Sequence, residues 1–262
     1  MTALSKLKYF IATIVFLVIC ILTTAYKAKI STNLETFNLV LDFTFAALFV
    51  CAFLFGGIVT GISGVFGICL YILLKNQSGW LALLGLVIGL VFGIITKLTT
   101  YLIEKKKLDQ RALLISAGTF FIAFGIIFTT FKICYGDYYI LKNTTVYIRN
   151  HWVLYVLPYI IGVVFILGAI FLNKAKESIR QMFSISAFVS TSVVVLYGIV
   201  CVLCSIKKIS FKVILANAYN NYFMNFFFSL CLGLIIAMVI YAIGVVALEV
   251  RKAIKNMLKD AE

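Results

Sequence analysis

Four residues of this chain have side chains that could bind a small polar ligand, and they stand at the ends of long apolar runs. Asp42 lies near the start of one run and Lys132 ends another, while His151 and Tyr155 flank the start of a third. Ionisable residues inside membrane spans are costly and are functional candidates by default. We therefore expect an outward-facing ligand pocket built from Asp42, Lys132, His151 and Tyr155, in which Asp42 and Lys132 could pair. An ordinary belt of interfacial aromatic residues and charges is the alternative interpretation.

The sequence offers little for catalysis or metal binding. It has one histidine, too few for a histidine-rich metal site, and it lacks the HExxH, GxSxG and Walker-loop motifs. Among seven cysteines, Cys201 and Cys204 form a CxxC pair, but no second pair of ligands completes a metal site. We predict a protein that is not an enzyme and that holds no cofactor or metal.

The composition indicates that lipid, not water, surrounds most of the chain. The sequence of 262 residues is 64% hydrophobic and 12% charged, whereas soluble domains carry about 25% charged residues. Its 23 Lys and Arg against 9 Asp and Glu give a net charge of +14. These basic residues stand in short clusters between apolar runs, a pattern typical of membrane proteins that meet anionic lipid rather than of proteins that bind nucleic acid.

The apolar runs predict an all-α fold, a polytopic membrane helix bundle forming a single domain over residues 1–262. A transmembrane helix needs about 20 mostly apolar residues. We read about eight such spans, near residues 9–26, 37–55, 57–74, 80–103, 112–133, 152–172, 183–205 and 222–249. The first run, preceded by Lys6 and Lys8, also has the form of a signal peptide, but we expect it to be retained.

The run from residue 37 to residue 74 allows two interpretations. It has no break except Gly56-Gly57, so it is either two spans joined by a tight turn or one very long element. With eight spans, more basic residues lie on the inner side than on the outer side; with seven spans, the balance reverses. The positive-inside rule therefore favours eight spans with the N- and C-termini in the cytoplasm.

Glycines recur at helical spacing in two neighbouring spans. Residues three and four positions apart share one helix face, and small residues let helices in lipid approach closely. The two stripes consist of Gly57, Gly61, Gly64 and Gly67 in one span and Gly85, Gly89 and Gly93 in the next. We predict a close antiparallel helix pair. The alternative is a pore or ligand channel lined by bare backbone.

Three further features of the sequence lead to structural predictions: a lysine within a span, a row of hydroxyl residues and the C-terminal tail. Lys97 lies near the inner end of its span, where its long side chain can reach the interface. The seventh span carries hydroxyl groups that we expect to form hydrogen bonds between helices, with a polar translocation path as the alternative; they belong to Ser184, Ser186, Ser190, Thr191 and Ser192. The tail ALEVRKAIKNMLKDAE is expected to continue the last helix into the cytoplasm.

The segment LDFTFAALFVCAFLFGGIVTGISGVFGICLYILLKNQSGWLALLGLVIGLVFG has a charged residue before a span, a Gly-Gly turn, a small-residue ridge, a short loop with glycine and a second ridge. Over about residues 39–104 it resembles the five-transmembrane receptor domain of LytS-YhcK type bacterial sensors. It is also loosely similar to the substrate-binding subunits of energy-coupling-factor vitamin transporters. Tyr71 stands where the sensor family usually has arginine, and we expect no kinase or diguanylate cyclase output domain within residues 1–262. The resemblance implies a small-ligand membrane module of the bacterial cytoplasmic membrane.

Two functions follow as predictions. The first is a module that binds or senses a small ligand and signals through helix packing to a cytoplasmic output protein. The second is a small-solute transporter, or the membrane subunit of a transport system with a coupling protein. The predicted partners are the bilayer, including its anionic lipids, and that cytoplasmic protein, but not nucleic acid. The sequence leaves the oligomeric state open, a homo-oligomer included.

Overall fold

The computed structural model describes residues 3–25, 27–31, 38–74, 79–106, 108–135, 138–141, 144–147, 152–205 and 223–259. In these residues the chain forms seven α-helices and four short strands. In chain order they are α1 (Ala3–Ala25), β1 (Lys27–Ser31), β2 (Asn38–Asp42), α2 (Thr44–Leu74), α3 (Gly79–Lys106), α4 (Gln110–Tyr135), β3 (Tyr138–Leu141), β4 (Thr144–Tyr147), α5 (Trp152–Phe171), α6 (Glu177–Ser205) and α7 (Phe223–Lys259). A 3₁₀ turn at Leu172–Lys174 joins α5 to α6.

The helices have the length and composition of membrane spans. In the described residues, six helices, namely α1, α2, α3, α4, α6 and α7, contain stretches long and apolar enough to cross a membrane. The apolar part of α5, Val156–Phe171, is shorter. Many large apolar side chains lie on the outside of the bundle, such as Ile94 and Ile133, where lipid rather than water is the favourable neighbour. The predicted class, a helical multi-pass membrane protein, is confirmed.

Helix α2 folds back on itself at Gly56. The backbone there is not helical, with φ 76° and ψ −173°, a combination that only glycine adopts without strain. The Thr60 side chain hydrogen-bonds the Cys51 thiol, and a Cβ atom on Gly64 would lie 2.9 Å from Leu48 Cδ2. Sixteen residues of continuous helix span about 24 Å, so only a reversal brings Leu48 to Gly64. We call the two arms α2a (residues 44–55) and α2b (residues 57–74).

Contacts with α1 show the same reversal. Near the end of α1, the Thr24 hydroxyl hydrogen-bonds the Thr44 hydroxyl at 3.0 Å, and further back Phe16 packs edge-on against Phe55. Arm α2a is therefore antiparallel to α1. In contrast, the Ser63 hydroxyl donates to the carbonyl of Thr13 at 3.2 Å, and Gly67 lies against Cys20. Arm α2b thus runs parallel to α1, which packs against both arms.

The predicted span at residues 37–55 needs a correction. Residues 38–42 form β2, which pairs antiparallel with β1 and sets Asp42 opposite Lys27. The helical arm α2a has only 12 residues, about 18 Å, against a hydrocarbon core of about 30 Å. Only the prediction of helix at residues 38–42 was wrong, because a short apolar run is compatible with either a strand or a helix. The total of eight spans stays a prediction.

A second strand pair lies in the connection between α4 and α5. Strands β3 and β4 are antiparallel, with Tyr138 opposite Tyr147 and Tyr139 opposite Val146. Aromatic and β-branched residues favour strands, so YYIL and TTVY carried a signal that the sequence analysis missed.

Two seams of close helix packing organise the bundle. In the first, α2b lies antiparallel to α3: a Cβ atom on Gly93 would lie 2.6 Å from the Cα atom of Gly61. In the second, α4 lies antiparallel to α5: a Cβ atom on Gly118 would lie 2.8 Å from the carbonyl oxygen of Gly162. About three turns further along α4, the Thr129 hydroxyl hydrogen-bonds the Tyr159 hydroxyl at 3.1 Å.

Polar contacts hold several helix ends together at one end of the bundle, which we call the basal end. The Asp109 carboxylate caps α4, accepting from the backbone N–H of Arg111 at 2.9 Å. The Arg111 side chain donates to the carbonyl of Ala169 at the end of α5, at 3.3 Å. Arg180 of α6 donates to Gln110 at 3.4 Å. These contacts place the C-terminal end of α5 and the N-terminal ends of α4 and α6 together.

Helix α7 extends beyond the basal end. The Glu249 carboxylate forms an ion pair with Lys176, in the connection between α5 and α6. The helix continues without a break to Lys259 and has 37 residues, about 55 Å, far more than the bilayer core requires. The tail therefore continues the last helix, as predicted. That the basal end faces the cytoplasm stays a prediction.

Candidate functional site

A polar cleft opens toward the basal end, between α1, the Gly56 turn and the C-terminal half of α3. Its volume is about 580 Å³. Aromatic, hydroxyl and charged side chains line it together with bare backbone: Tyr9, Phe10, Thr13, Phe55, Gly56, Gly57, Ile58, Val59, Lys97, Thr100, Tyr101, Glu104 and Lys105. Such a mixture of apolar walls with a few convergent polar groups is typical of small-ligand sites.

The glycine seam sets the width of this cleft. A Cβ atom on Gly57 would lie 2.6 Å from the backbone nitrogen of Lys97 and would also meet the carbonyl oxygen of Gly93. Real Cβ atoms do not approach backbone so closely, so only glycine lets α2b and α3 come this near. The close approach holds the Gly56 turn beside Lys97 and fixes the inner wall of the cleft.

The cleft carries excess positive charge. Lys97 and Lys105 lie on the α3 wall with one carboxylate, Glu104. The ion pairs formed by residues that the structure describes are Lys176–Glu249 and Arg180–Glu177, so neither lysine of the cleft is neutralised there. Both lysines are exposed, which leaves their ammonium groups free to meet a ligand at the cleft mouth.

The helix break adds a second source of positive potential. Gly57, Ile58 and Val59 form the first turn of α2b, and all three line the cleft. The first N–H groups of a helix have no partner within the helix and attract anions. The Gly56 turn thus presents the N-terminal end of α2b to the same space as Lys97.

Hydroxyl groups complete the polar lining. The Thr13 hydroxyl donates to the carbonyl of Tyr9 at 2.8 Å, and the Thr100 hydroxyl donates to the carbonyl of Thr96 at 3.0 Å. With their protons engaged, both threonine oxygens retain acceptor capacity. The phenol groups of Tyr9 and Tyr101 stand at the partly exposed rim, where a side chain with an apolar body and a polar tip fits an interface.

Two other cavities lack this chemistry. One, of about 490 Å³, lies between α1, α2a and α7 and is almost wholly apolar. The other, of about 580 Å³, lies between α3, α4 and α6 and has only hydroxyl groups among its polar lining, from Ser116, Thr191 and Ser192. Among the described residues, no three His, Cys, Asp or Glu side chains come together as a metal site.

The hydroxyl groups of α6 do not bond as expected. Ser184 donates to the carbonyl of Arg180 at 3.0 Å, and Thr191 and Ser190 donate to that of Ala187 at 2.7 and 3.3 Å. For these three residues the prediction of bonds between helices is wrong, because a carbonyl of their own helix lies within reach. The buried hydroxyls of Ser186 and of Thr96 in α3 have no hydrogen-bond partner in the described part of the protein.

The ligand pocket expected from the sequence lies largely outside the described residues. His151 is not among them, and the side chains of Asp42, Lys132 and Tyr155 are not described. Their backbone positions are known: Asp42 ends β2, Lys132 lies near the end of α4, and Tyr155 lies in the first turn of α5. The pocket therefore stays a prediction.

The structure brings most of the predicted packing glycines together. Gly57, Gly61 and Gly64 face Gly89 and Gly93 across the α2b–α3 seam. Gly67 instead lies against α1, at Cys20 and Leu17. Gly85 is in α3, but its surroundings lie outside the described part.

Sequence reasoning missed the basal cleft because it considered Lys97 alone. A lysine near the end of a span is expected to extend its side chain to the membrane interface. The informative signal was its combination with the Gly56-Gly57 break, since irregular backbone at membrane depth is tolerated where it lines a cavity. No protein-family model, curated protein or solved structure matches this chain.

Proposed function

We propose that this multi-pass membrane protein is a small-ligand sensing module. A ligand in the basal cleft shifts the packing around the Gly56 turn, and α7 carries the shift to a cytoplasmic partner. The sequence suggested a ligand site at the outer ends of the helices. The basal cleft is the better-supported site because its charged lining and its backbone break lie among the described residues.

The observation that carries this proposal is a line of contacts from the cleft to the tail. Phe53, one turn before Gly56, packs edge-on against Tyr241 of α7, with ring centroids 5.5 Å apart. The Tyr241 side chain hydrogen-bonds that of Ser178 in α6, and two turns later Glu249 pairs with Lys176. A displacement of the Gly56 turn therefore acts on α7 next to the point where α7 leaves the bundle.

The ligand-free and ligand-bound states would differ by a small, local change in these contacts between the cleft and α7. A ligand shifts an equilibrium only by its differential affinity for the two states. A ligand that contacts the Gly56 turn on one side and α3 on the other meets this condition, since any change in their separation changes its contacts. The helix tail is the readout because it extends past the membrane.

Filling the cleft with a side chain tests the proposal without a known ligand. Thr100→Trp and, from the opposite wall, Thr13→Trp place an indole in the cleft; Ile115→Trp on the exposed face of α4 is the matched control. Hydrogen exchange of residues 247–259 is then measured in lipid nanodiscs. We expect a several-fold change in tail exchange for both cleft variants and none for the control. Unchanged exchange in both cleft variants would reject the sensing proposal.

A transporter is the second candidate, and the Gly56 break favours it. Broken helices with an exposed half-helix N-terminus form the substrate sites of several transporter folds. Uptake of labelled inorganic phosphate, citrate and amino acids into proteoliposomes distinguishes the two functions. Robust uptake by the isolated chain, lost in Thr100→Trp and retained in Ile115→Trp, would replace sensing by transport.

A further inference from the structure

We infer that the basal cleft binds the phosphate group of an amphiphile, with the phosphate at Lys97 and Lys105 and the apolar part against Phe10, Phe55 and Ile58. This inference names the ligand class of the proposed sensing site and rests on that proposal for its role in signalling. Binding of the phosphate does not depend on the sensing proposal and is measured separately.

The charges of the cleft select an anion. Lys97 and Lys105 line the cleft together with the single carboxylate of Glu104, and neither lysine forms an ion pair with another described residue. With one carboxylate for two ammonium groups, the cleft keeps an excess positive charge that an anion from outside can balance. A cation or a zwitterion with an exposed ammonium would meet repulsion from both lysines.

The number and spread of donors select phosphate over a carboxylate. Lys97 and Lys105 lie two turns apart on α3 and each carries three donor protons, while the first turn of α2b, starting at Gly57, adds backbone N–H groups. The phosphodiester of a phospholipid carries two charged non-bridging oxygens and two ester oxygens in a tetrahedral arrangement, so it can meet donors on two walls at once. A carboxylate has two oxygens in one plane and can satisfy only part of this set.

The apolar walls select an amphiphile rather than a free phosphate. Phe10 is 64% exposed and Ile58 is 61% exposed, although both border the cleft. They continue its lining onto the lipid-facing surface, so an acyl chain can lie along them while its head group stays at the lysines. Tyr9 and Tyr101 stand at the same rim, at the place where head group and chain would meet.

The binding test uses the detergent-solubilised full chain and native mass spectrometry. Dioleoyl phosphatidylglycerol is compared with dioleoylglycerol, which has the same acyl chains but lacks the phosphoglycerol head group. We expect one retained phosphatidylglycerol per chain and at least tenfold weaker retention of dioleoylglycerol. Lys97→Met together with Lys105→Met removes both charges while keeping most of the apolar stems, and we expect a tenfold or greater loss of phosphatidylglycerol binding.

Matched variants separate the cleft from the general basic surface. Lys174→Met removes an exposed lysine at the same end of the bundle but outside the cleft, and it should bind phosphatidylglycerol as the wild type does. Lys97→Arg with Lys105→Arg keeps both charges and should retain binding within about threefold, which also controls for folding. Equal binding of the two lipids by the wild type, or equal loss in Lys174→Met and the cleft variant, would overturn the inference.

Competition identifies the source of the phosphate. If millimolar glycerol 3-phosphate or inorganic phosphate displaces phosphatidylglycerol, the ligand is a soluble phosphate, and the inference that it is an amphiphile is rejected. Failure of both to compete supports a lipid. The tail exchange of residues 247–259 is recorded in parallel: binding without a tail response rejects sensing and keeps the phosphate site, whereas a tail response to cleft filling without phosphate binding rejects only the ligand class.

Discussion

The two glycine seams of the bundle differ in what the glycines touch. Across the α2b–α3 seam, glycine meets backbone: Gly89 lies against the main chain of Gly64 and Val65. Across the α4–α5 seam, glycine meets side chains as well, such as the Tyr159 ring above Gly125. Side chains can rotate away from an added atom and main chain cannot, so the first seam is the stiffer one. The stiff seam is also the one that borders the charged cleft.

The largest effect is expected for Gly89→Ala. Its new Cβ atom would lie 2.7 Å from the carbonyl carbon of Gly64 and would also meet the backbone nitrogen of Val65. The two helices must separate, and we expect a loss of about 3 kcal/mol in the free energy of unfolding, the upper part of the usual range for overpacking. Unfolding in a detergent titration measures it.

Gly244→Ala is the matched control for that prediction. Gly244 lies within α7 and a Cβ atom there would meet nothing within 4 Å. We expect no loss of stability. If the two variants had equal stability, the α2b–α3 seam would not be the close contact that we describe.

A smaller effect is expected for Gly56→Ala, for a different reason. A Cβ atom on Gly56 would meet nothing within 4 Å, but the residue has a φ of +76°. Backbone in this region costs other residues about 1–3 kcal/mol, and we expect about 2 kcal/mol in the same titration. Gly198→Ala, equally open but at a helical φ, should be neutral; a neutral Gly56→Ala would show that the turn is not strained.

Gly125→Ala should cost less, about 1 kcal/mol, near the lower end of the overpacking range. The Cβ atom would lie 3.0 Å from two atoms of the Tyr159 ring, and the ring can tilt. The added Tyr159→Leu substitution removes that ring. In a double-mutant cycle, Gly125→Ala should then become nearly neutral; an unchanged cost would place the strain elsewhere.

The smallest effect is expected for Thr129→Val. This isosteric change removes the hydrogen bond between the Thr129 and Tyr159 hydroxyls, 3.1 Å apart. Hydrogen bonds between membrane helices contribute about 0.6 kcal/mol on average, and we expect a loss of that size. Thr119→Val, whose hydroxyl bonds only within α4 at the carbonyl of Ile115, should change stability less.

The contrast between the two glycine seams also shows which features of the fold the sequence could predict. The helical membrane class followed from composition and run length, because lipid leaves few ways to satisfy a backbone. The close approach of the helices bearing Gly61 and Gly93 was also expected, since spacing alone puts small residues on one face. The α4–α5 seam was missed because Gly118, Gly125 and Gly162 do not form a regular ridge.

Other features depend on contacts that no local pattern specifies. The run at residues 38–42 reads equally well as helix or strand, and only its pairing with β1 decides. The cleft needs Tyr9, Gly56 and Lys97 from three separate segments, and the reversal at Gly56 brings them together. The hydroxyl of Ser184 could bond within or between helices, and the nearest carbonyl determined the outcome.

The central claim is that α2 reverses at Gly56, and a disulfide tests it most directly. Cys51 is retained, all other cysteines are replaced by alanine, and Thr60→Cys is added, since the Thr60 and Cys51 side chains are in contact. Nine residues of continuous helix separate Cα atoms by about 13 Å, whereas a disulfide needs about 7 Å or less. We predict rapid oxidation in the membrane, with no cross-link in the control Ile62→Cys, whose position faces outward. No disulfide between positions 51 and 60 would mean that α2 is one continuous helix and that the basal cleft does not exist.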